Sequence, residues 1–141
     1  MKRTKRTENL GTANRNPLNI RFSAANHWLG LHPLQPNVKG FCRFTNFDYG
    51  YRAAILLIKN YIRRYRCDTP AQIIHRWAPP SENRTDLYIA CVCGRSGLAP
   101  EERILLEGNQ IPRLVAAMAK QETGLHPTPE YLQDLCERFH I

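Results

Sequence analysis

Glu122 is the residue in this sequence best placed to carry chemistry. It lies in Ala119-Lys120-Gln121-Glu122-Thr123-Gly124, where an amphipathic helical pattern ends on a carboxylate followed by a glycine. The C-terminal end of a helix dipole is negative, which disfavours the ionised carboxylate and favours a proton-bearing acid. Gly124 supplies the left-handed turn that ends such a helix. A carboxylic acid held partly out of water is what a glycosidase needs to protonate a leaving oxygen. The bland reading of the same residues is an exposed helix end with no further task.

A second carboxylate, Glu82, sits in Arg76-Trp77-Ala78-Pro79-Pro80-Ser81-Glu82-Asn83-Arg84-Thr85-Asp86-Leu87-Tyr88. Two prolines stiffen the turn, Glu82, Asn83, Thr85 and Tyr88 offer hydrogen-bonding groups, and Trp77 offers a flat face on which a sugar ring could stack. That mixture suits a carbohydrate groove. It equally suits a corner between two helices, with Trp77 in the core and Ser81 or Asn83 as an N-cap. Other chemistries have less support. Cys91 and Cys93 lie two apart, so on a helix they point about 200° away from each other. His27, His32, His75, His126 and His140 show no ligand spacing, and no glycine-rich phosphate loop or nucleophile elbow is present. No metal and no cofactor is expected.

The elements that must position these carboxylates can be read from periodicity and turn chemistry. Residues 14–47 mix turn formers with short apolar pieces such as Asn19-Ile20-Arg21-Phe22 and Phe41-Cys42-Arg43-Phe44, which predicts a small β-hairpin or meander. From Gly50 the period changes. Ala54, Leu57, Ile58, Tyr61, Ile62 and Tyr65 form one stripe of a central helix of about four turns, with Arg52, Lys59, Arg63 and Arg66 on its opposite, solvated side. Thr69-Pro70-Ala71-Gln72 starts another helix, which Pro79-Pro80 stops after Trp77. A third follows Asn83 or Thr85 with Leu87, Tyr88, Cys91 and Val92 on its inner face, and ends near Gly94 or Gly97. Residues 109–121 form a fourth, and Thr128-Pro129 caps a fifth whose Leu135, Cys136 and Phe139 face inward. The fold class predicted is α+β, mainly α, with about five helices behind a small N-terminal β region.

A chain of 141 residues fits one domain. Residues 1–13 have little apolar content and are expected to be a basic flexible arm, leaving 14–141 as the domain. The composition, 43% hydrophobic with no apolar run near the roughly 20 residues that span a bilayer, predicts a soluble protein without membrane insertion. The start Met1-Lys2-Arg3-Thr4-Lys5-Arg6 has no apolar stretch behind it and does not read as a secretory signal, so synthesis in a cytoplasm is expected. The five cysteines have no framework spacing and read as reduced thiols. A net charge of +8 draws polyanions: nucleic acid, an anionic membrane surface or an acidic cell-wall polymer.

Several of these stretches together resemble a known family. Asn14-Arg15-Asn16-Pro17-Leu18-Asn19-Ile20-Arg21, Trp28-Leu29-Gly30, Gly50-Tyr51-Arg52-Ala53 and Arg76 to Tyr88 resemble small phage and prophage proteins described as phage structural or lysozyme-like proteins. The family pattern is approximately Asn-Asn-Asn-Pro-Gly-Asn-Ile-Arg, Trp-x-Gly, Gly-x-Arg-Ala and Arg-Trp-Ala-Pro-Pro-x-Glu-Asn-x-Thr. Leu18 stands where the family prefers glycine, and Gln121-Glu122-Thr123-Gly124 replaces a frequent His-Glu-Asn-Gly. A weaker similarity connects the chain to lysozyme-like transglycosylases and glucosaminidases, which carry a glutamate in a Glu-Ser-Gly-like motif before their β region. Here the β pieces come first, so the order looks circularly permuted.

The resemblance implies a lysozyme-like domain that binds and cleaves peptidoglycan glycan strands, as a hydrolase or lytic transglycosylase, in a virion or released to the cell wall. Glu122 would be the general acid and Glu82 the second carboxylate, with Asn19, Trp28, Trp77, Asn83, Thr85 and Tyr88 lining the groove. Its implied partners are peptidoglycan or another anionic glycan and other virion proteins. Two alternatives stand beside it: a non-catalytic virion structural protein of the same fold, and a nucleic-acid-binding module using the basic arm and the Arg52, Lys59, Arg63, Arg66 face.

Overall fold

The computed structural model describes residues 9–141, so most of the basic arm expected over 1–13 lies outside the described residues. The elements run α1 (Leu10–Ala13), β1 (Asn37–Val38), β2 (Phe41–Cys42), α2 (Phe47–Tyr65), α3 (Pro70–Trp77), α4 (Thr85–Ser96), α5 (Gln110–Thr123) and α6 (Pro129–Phe139). The molecule is mainly α with one small antiparallel hairpin, and α2 to α6 are the five helices expected.

The helix starts follow local chemistry. The Thr69 side chain accepts from the Gln72 N–H at the head of α3, and Thr128 accepts from the Tyr131 N–H at the head of α6, each ahead of a proline. Gln72 reaches back one residue further than a capping box requires, accepting from the Asp68 N–H at 3.0 Å. Gly97 and Gly124 end α4 and α5 in the left-handed region, at φ +75° and +80°. Helix α4 starts without a side-chain cap, because the Asn83 carboxamide bonds the Pro79 carbonyl instead.

Two expectations are corrected, and one segment of the expected arm has a definite structure. Leu10–Ala13 form a helical turn whose Gly11 is buried. A Cβ on Gly11 would lie 2.4 Å from the Thr123 Cγ2 and 2.5 Å from the Asn19 Oδ1, so only glycine allows this turn to approach α5 so closely. The basic face of α2 is solvated only in its second half, where Arg63 and Arg66 are exposed. Arg52 and Lys59, seven residues apart, lie on the line that α6 covers; Lys59 is only 4% exposed, and the Arg52 guanidinium sits over the Phe139 ring. Finally, Leu87 points outward, while Thr85, Tyr88 and Val92 form the inner face of α4.

The core runs through Ile55 and Ile58 of α2, Ile73 and Ile74 of α3, Val92 of α4, Leu114, Val115 and Met118 of α5, and Leu132 and Leu135 of α6. Helix α5 is its axis, packing on α1, α2, α4 and α6. Asp48 fastens α6 to α2 by accepting from the Tyr131 hydroxyl and pairing with Arg138 at 3.2 Å.

The N-terminal segment has little regular structure and is held by side chains. The two-residue turn Lys39-Gly40 has both φ angles positive, the geometry that joins a twisted hairpin, and pairs Asn37 with Cys42 and Val38 with Phe41. Arg21 and Leu31 add isolated bridges to Phe41 and Phe44. Asn16, fully buried, joins these pieces: its Nδ2 donates to the Ile20 carbonyl (3.0 Å) and the Cys42 carbonyl (2.9 Å), and its Oδ1 accepts from the Ile20 N–H (2.9 Å). Leu18, where the family prefers glycine, is also fully buried and fills the core beneath this loop.

Removing the Asn16 carboxamide would take the partner from the Ile20 N–H and the Cys42 carbonyl, while the Ile20 carbonyl keeps the Cys42 N–H. Asn16→Ala is expected to lower unfolding stability by about 3 kcal/mol, read as a lower urea midpoint at unchanged slope.

Candidate functional site

Glu122 stands on the last turn of α5, half-buried, with two side chains gripping its carboxyl. Asn19 Nδ2 donates to Oε1 at 3.0 Å, and the Tyr88 hydroxyl donates to Oε2 at 2.8 Å. Both partners arrive from far along the chain. Asn19 reaches the helix because residues 16–19 form a tight turn that leaves Asn19 at φ +54°, a left-handed conformation that asparagine tolerates. Tyr88 comes from the first turns of α4, 6% exposed, with its ring in the core.

The end of α5 is sealed by the N-terminal segment. The Asn9 Nδ2 donates to the Thr123 carbonyl (2.9 Å), and the Thr123 hydroxyl lies within hydrogen-bond distance of the Pro17 carbonyl (3.0 Å). Carbonyls that would otherwise face water at a helix end are thus met by carboxamides. Burial pushes the Glu122 carboxyl above the usual carboxylate range, against the opposite pull of Asn19, Tyr88 and the Trp77 indole, all of which favour the ionised form. Burial and the nearby Glu122 charge likewise push the Tyr88 phenol up, so it remains a hydrogen-bond donor.

The carboxyl opens into a cleft of about 700 Å³. Glu82, Trp77, Asn19 and Asn83 line it together with Glu122, so the two carboxylates share one cleft with Trp77 on its wall. Glu82 lies on the exposed rim, in the turn between α3 and α4, and pairs with Arg21 at 2.9 Å. Trp77 is half-buried and meets Tyr61 edge-on, with ring centroids 6.0 Å apart.

The remaining candidates lie outside the cleft lining. Trp28 packs against the core with its Nε1 buried and without a partner. Thr85 is buried and donates to the Ala78 carbonyl, which ties the start of α4 to the end of α3. Tyr88 acts on the carboxyl from behind. Conversely, Asn9, Asn26, Tyr61 and Arg76 line the cleft without having been singled out. Arg76 is adjacent to Trp77 in the same motif, which was the available signal; Asn9 and Tyr61 become neighbours only through the fold.

No family model matches the chain. Among characterised proteins, it is 32% identical over 119 residues to Protein P5 of Pseudoalteromonas phage PM2, an alignment covering 83% of this chain and 72% of that protein. The chain belongs to the Protein P5 family. The phage part of the resemblance therefore holds.

Because the Tyr88 hydroxyl favours the ionised form of Glu122, Tyr88→Phe removes a downward pull and leaves burial unopposed on that side. The Glu122 carboxyl, followed by carbon NMR through a pH titration, is expected to titrate at higher pH in Tyr88→Phe than in the parent protein.

Proposed function

We propose that the cleft holds a glycan strand of peptidoglycan and that Glu122 is the general acid that cleaves it, making this a phage-derived, lysozyme-like domain. The observation that carries the reading is the state of Glu122. It is half-buried, its titration is raised by burial, both its oxygens are held by neutral donors, and it faces a cleft that also contains an aromatic face and a second carboxylate. No ion pair is recorded for Glu122 among the described residues; the nearby cation Arg21 is engaged by Glu82.

On this reading the carboxyl, its titration raised by burial, delivers its proton to the glycosidic oxygen as the C–O bond breaks. The charge left on Glu122 is then met by Asn19 and Tyr88, whose hydrogen bonds strengthen when their acceptor is ionised. Trp77 offers a stacking face for a sugar ring and Asn83 a polar contact. Glu82, exposed and paired, is the carboxylate available to orient a water on the other side of the scissile bond. The domain would act from the virion or after release to the cell wall. A relative from a phage supports that setting, and so does a net charge of +8 toward an anionic wall. A nucleic-acid role draws less support, since Arg52 and Lys59 are covered by α6.

Peptidoglycan zymography with purified protein tests the reading. Glu122→Gln is expected to lower cleavage at least about 100-fold, with Glu82→Gln intermediate. Parent activity is expected to fall as pH rises through the elevated Glu122 titration, and Asn19→Ala to move that limb to higher pH. Intact binding with no cleavage by the parent protein would instead indicate a structural virion component.

Stability gives an independent check with a definite sign. A carboxyl whose titration is raised on folding contributes stability in acid that is lost as pH climbs from the unfolded to the folded pKa. Glutamine can accept from Asn19 and donate to Tyr88. Glu122→Gln is therefore expected to melt above the parent protein at pH 7–8, with the two curves converging near pH 3.

A further inference from the structure

The cleft holds two carboxyl groups, Glu82 and Glu122, and two guanidinium groups, Arg21 and Arg76. Arg21 and Glu82 neutralise each other at 2.9 Å. Glu122 is held by the neutral donors Asn19 and Tyr88 and makes no salt bridge among the described residues. Arg76 is the cleft arginine without a carboxylate partner.

Arg76 is also set apart by how it is held. Its guanidinium lies 3.5 Å from the centroid of the Tyr65 ring and 5.2 Å from that of Tyr61. Tyr61 in turn meets Tyr65 and Trp77 edge-on, at 6.3 Å and 6.0 Å, so the arginine rests on an aromatic wall continuous with the cleft. Stacking fixes a guanidinium's position through its face and leaves its N–H edges free. Among the described residues Arg76 makes no salt bridge within 4.0 Å. By contrast, Arg21 uses its Nη2 on Glu82, Arg113 its Nε and Nη2 on the Ser96 carbonyl, and Arg138 its Nε and Nη1 on Asp134 and Asp48. A planar fork held from behind with its edge open is a bidentate receptor for a carboxylate.

We propose that Arg76 forms a carboxylate-binding subsite of the cleft, so that the preferred ligand is a glycan with free carboxyl substituents, such as a peptidoglycan strand whose lactyl groups have been released from their peptides, over a neutral chitin-type oligomer. This rests on the glycan-binding reading above and narrows it to a substrate class. The subsite adjoins Trp77, so a ring stacked there would place a carboxyl-bearing substituent toward Arg76. Arg76 binds the ligand away from the reacting atoms. It therefore governs affinity and choice of glycan, whereas Glu122 governs the bond broken.

The test is a binding titration by calorimetry in the Glu122→Gln background, where ligand is not consumed. Two probes of equal length are compared: an N-acetylglucosamine tetramer, and a tetramer alternating N-acetylglucosamine with N-acetylmuramic acid. The acidic tetramer is expected to bind about 10-fold more tightly, as one charge-assisted pair in a partly dry cleft allows, and added salt should erode the gap. Arg76→Gln should abolish the preference, weakening the acidic tetramer about 10-fold more than the neutral one. Arg76→Lys, which keeps the charge and loses the fork, should retain only part of it. Equal affinity for both tetramers, or equal weakening of both by Arg76→Gln, overturns the carboxylate subsite and leaves glycan binding standing. Binding of neither tetramer, with a cooperative melting transition showing the protein folded, overturns both.

Discussion

The structure depends on one buried carboxamide. Asn16 makes three hydrogen bonds to the backbone of Ile20 and Cys42, and through them a stretch with almost no regular secondary structure is fixed against the hairpin. A buried amide is costly to leave unpaired, so this arrangement admits few alternatives. Its consequence appears three residues on. The turn that Asn16 closes puts Asn19 at the end of α5, within 3.0 Å of the Glu122 carboxyl. The same segment brings the Pro17 carbonyl to the Thr123 hydroxyl and, through the buried Gly11, brings Asn9 to the Thr123 carbonyl. A helix end that would be solvated in isolation becomes the floor of a cleft.

That sealing gives Glu122 its character. Helix-end carboxylates are commonly exposed, and in the sequence this one had no visible partner. Two opposed influences act on it here. Withdrawal from water raises its titration, and donors from Asn19, Tyr88 and Trp77 lower it, with burial prevailing. The donors are all neutral. A cation in the same place would hold the carboxyl ionised and end any service as an acid; of the two cleft arginines, Arg21 is held at the rim by Glu82 and Arg76 is stacked on Tyr65.

How much of this was legible in the sequence follows from the range of the interactions. The five long helices were legible because their signals are local: Thr69 and Thr128 cap ahead of prolines, Gly97 and Gly124 end helices in the left-handed region, and apolar residues recur at helical spacing. Glu122, Glu82, Trp77, Asn19 and Asn83 were assigned to one groove, and they do share one cleft. What was not legible depends on contacts between distant positions. Nothing near Lys59 announces that α6 will cover it, and nothing near Tyr88 announces a carboxyl 34 positions away. Trp28 carries the same residue type as Trp77, yet packs on the core, because tryptophan chemistry does not specify which face of the fold it meets. Leu10–Ala13 was too short and too polar in its surroundings to stand out as a helix, and it exists because α5 offers it a surface.

The cleft and the fold are therefore not separable in the way that a loop-borne site on a rigid scaffold would be. Asn19 is at once a turn residue in the left-handed region, a ligand to the end of α5 and a partner of the candidate acid. Tyr88 is at once a core residue of α4 and the second partner. A substitution that loosens the N-terminal segment alters the solvation of Glu122, because water entering at the Asn19 turn removes the burial that raises its titration. Tolerance to change should consequently be lowest at small and amide residues such as Gly11, Asn16 and Asn19, whose side chains touch few apolar groups but whose geometry sets the electrostatics of the cleft. Core residues such as Ile55 and Ile58 of α2 and Leu132 and Leu135 of α6 hold the helices together and lie outside the cleft lining, so they can be exchanged for others of similar volume at less cost to the site.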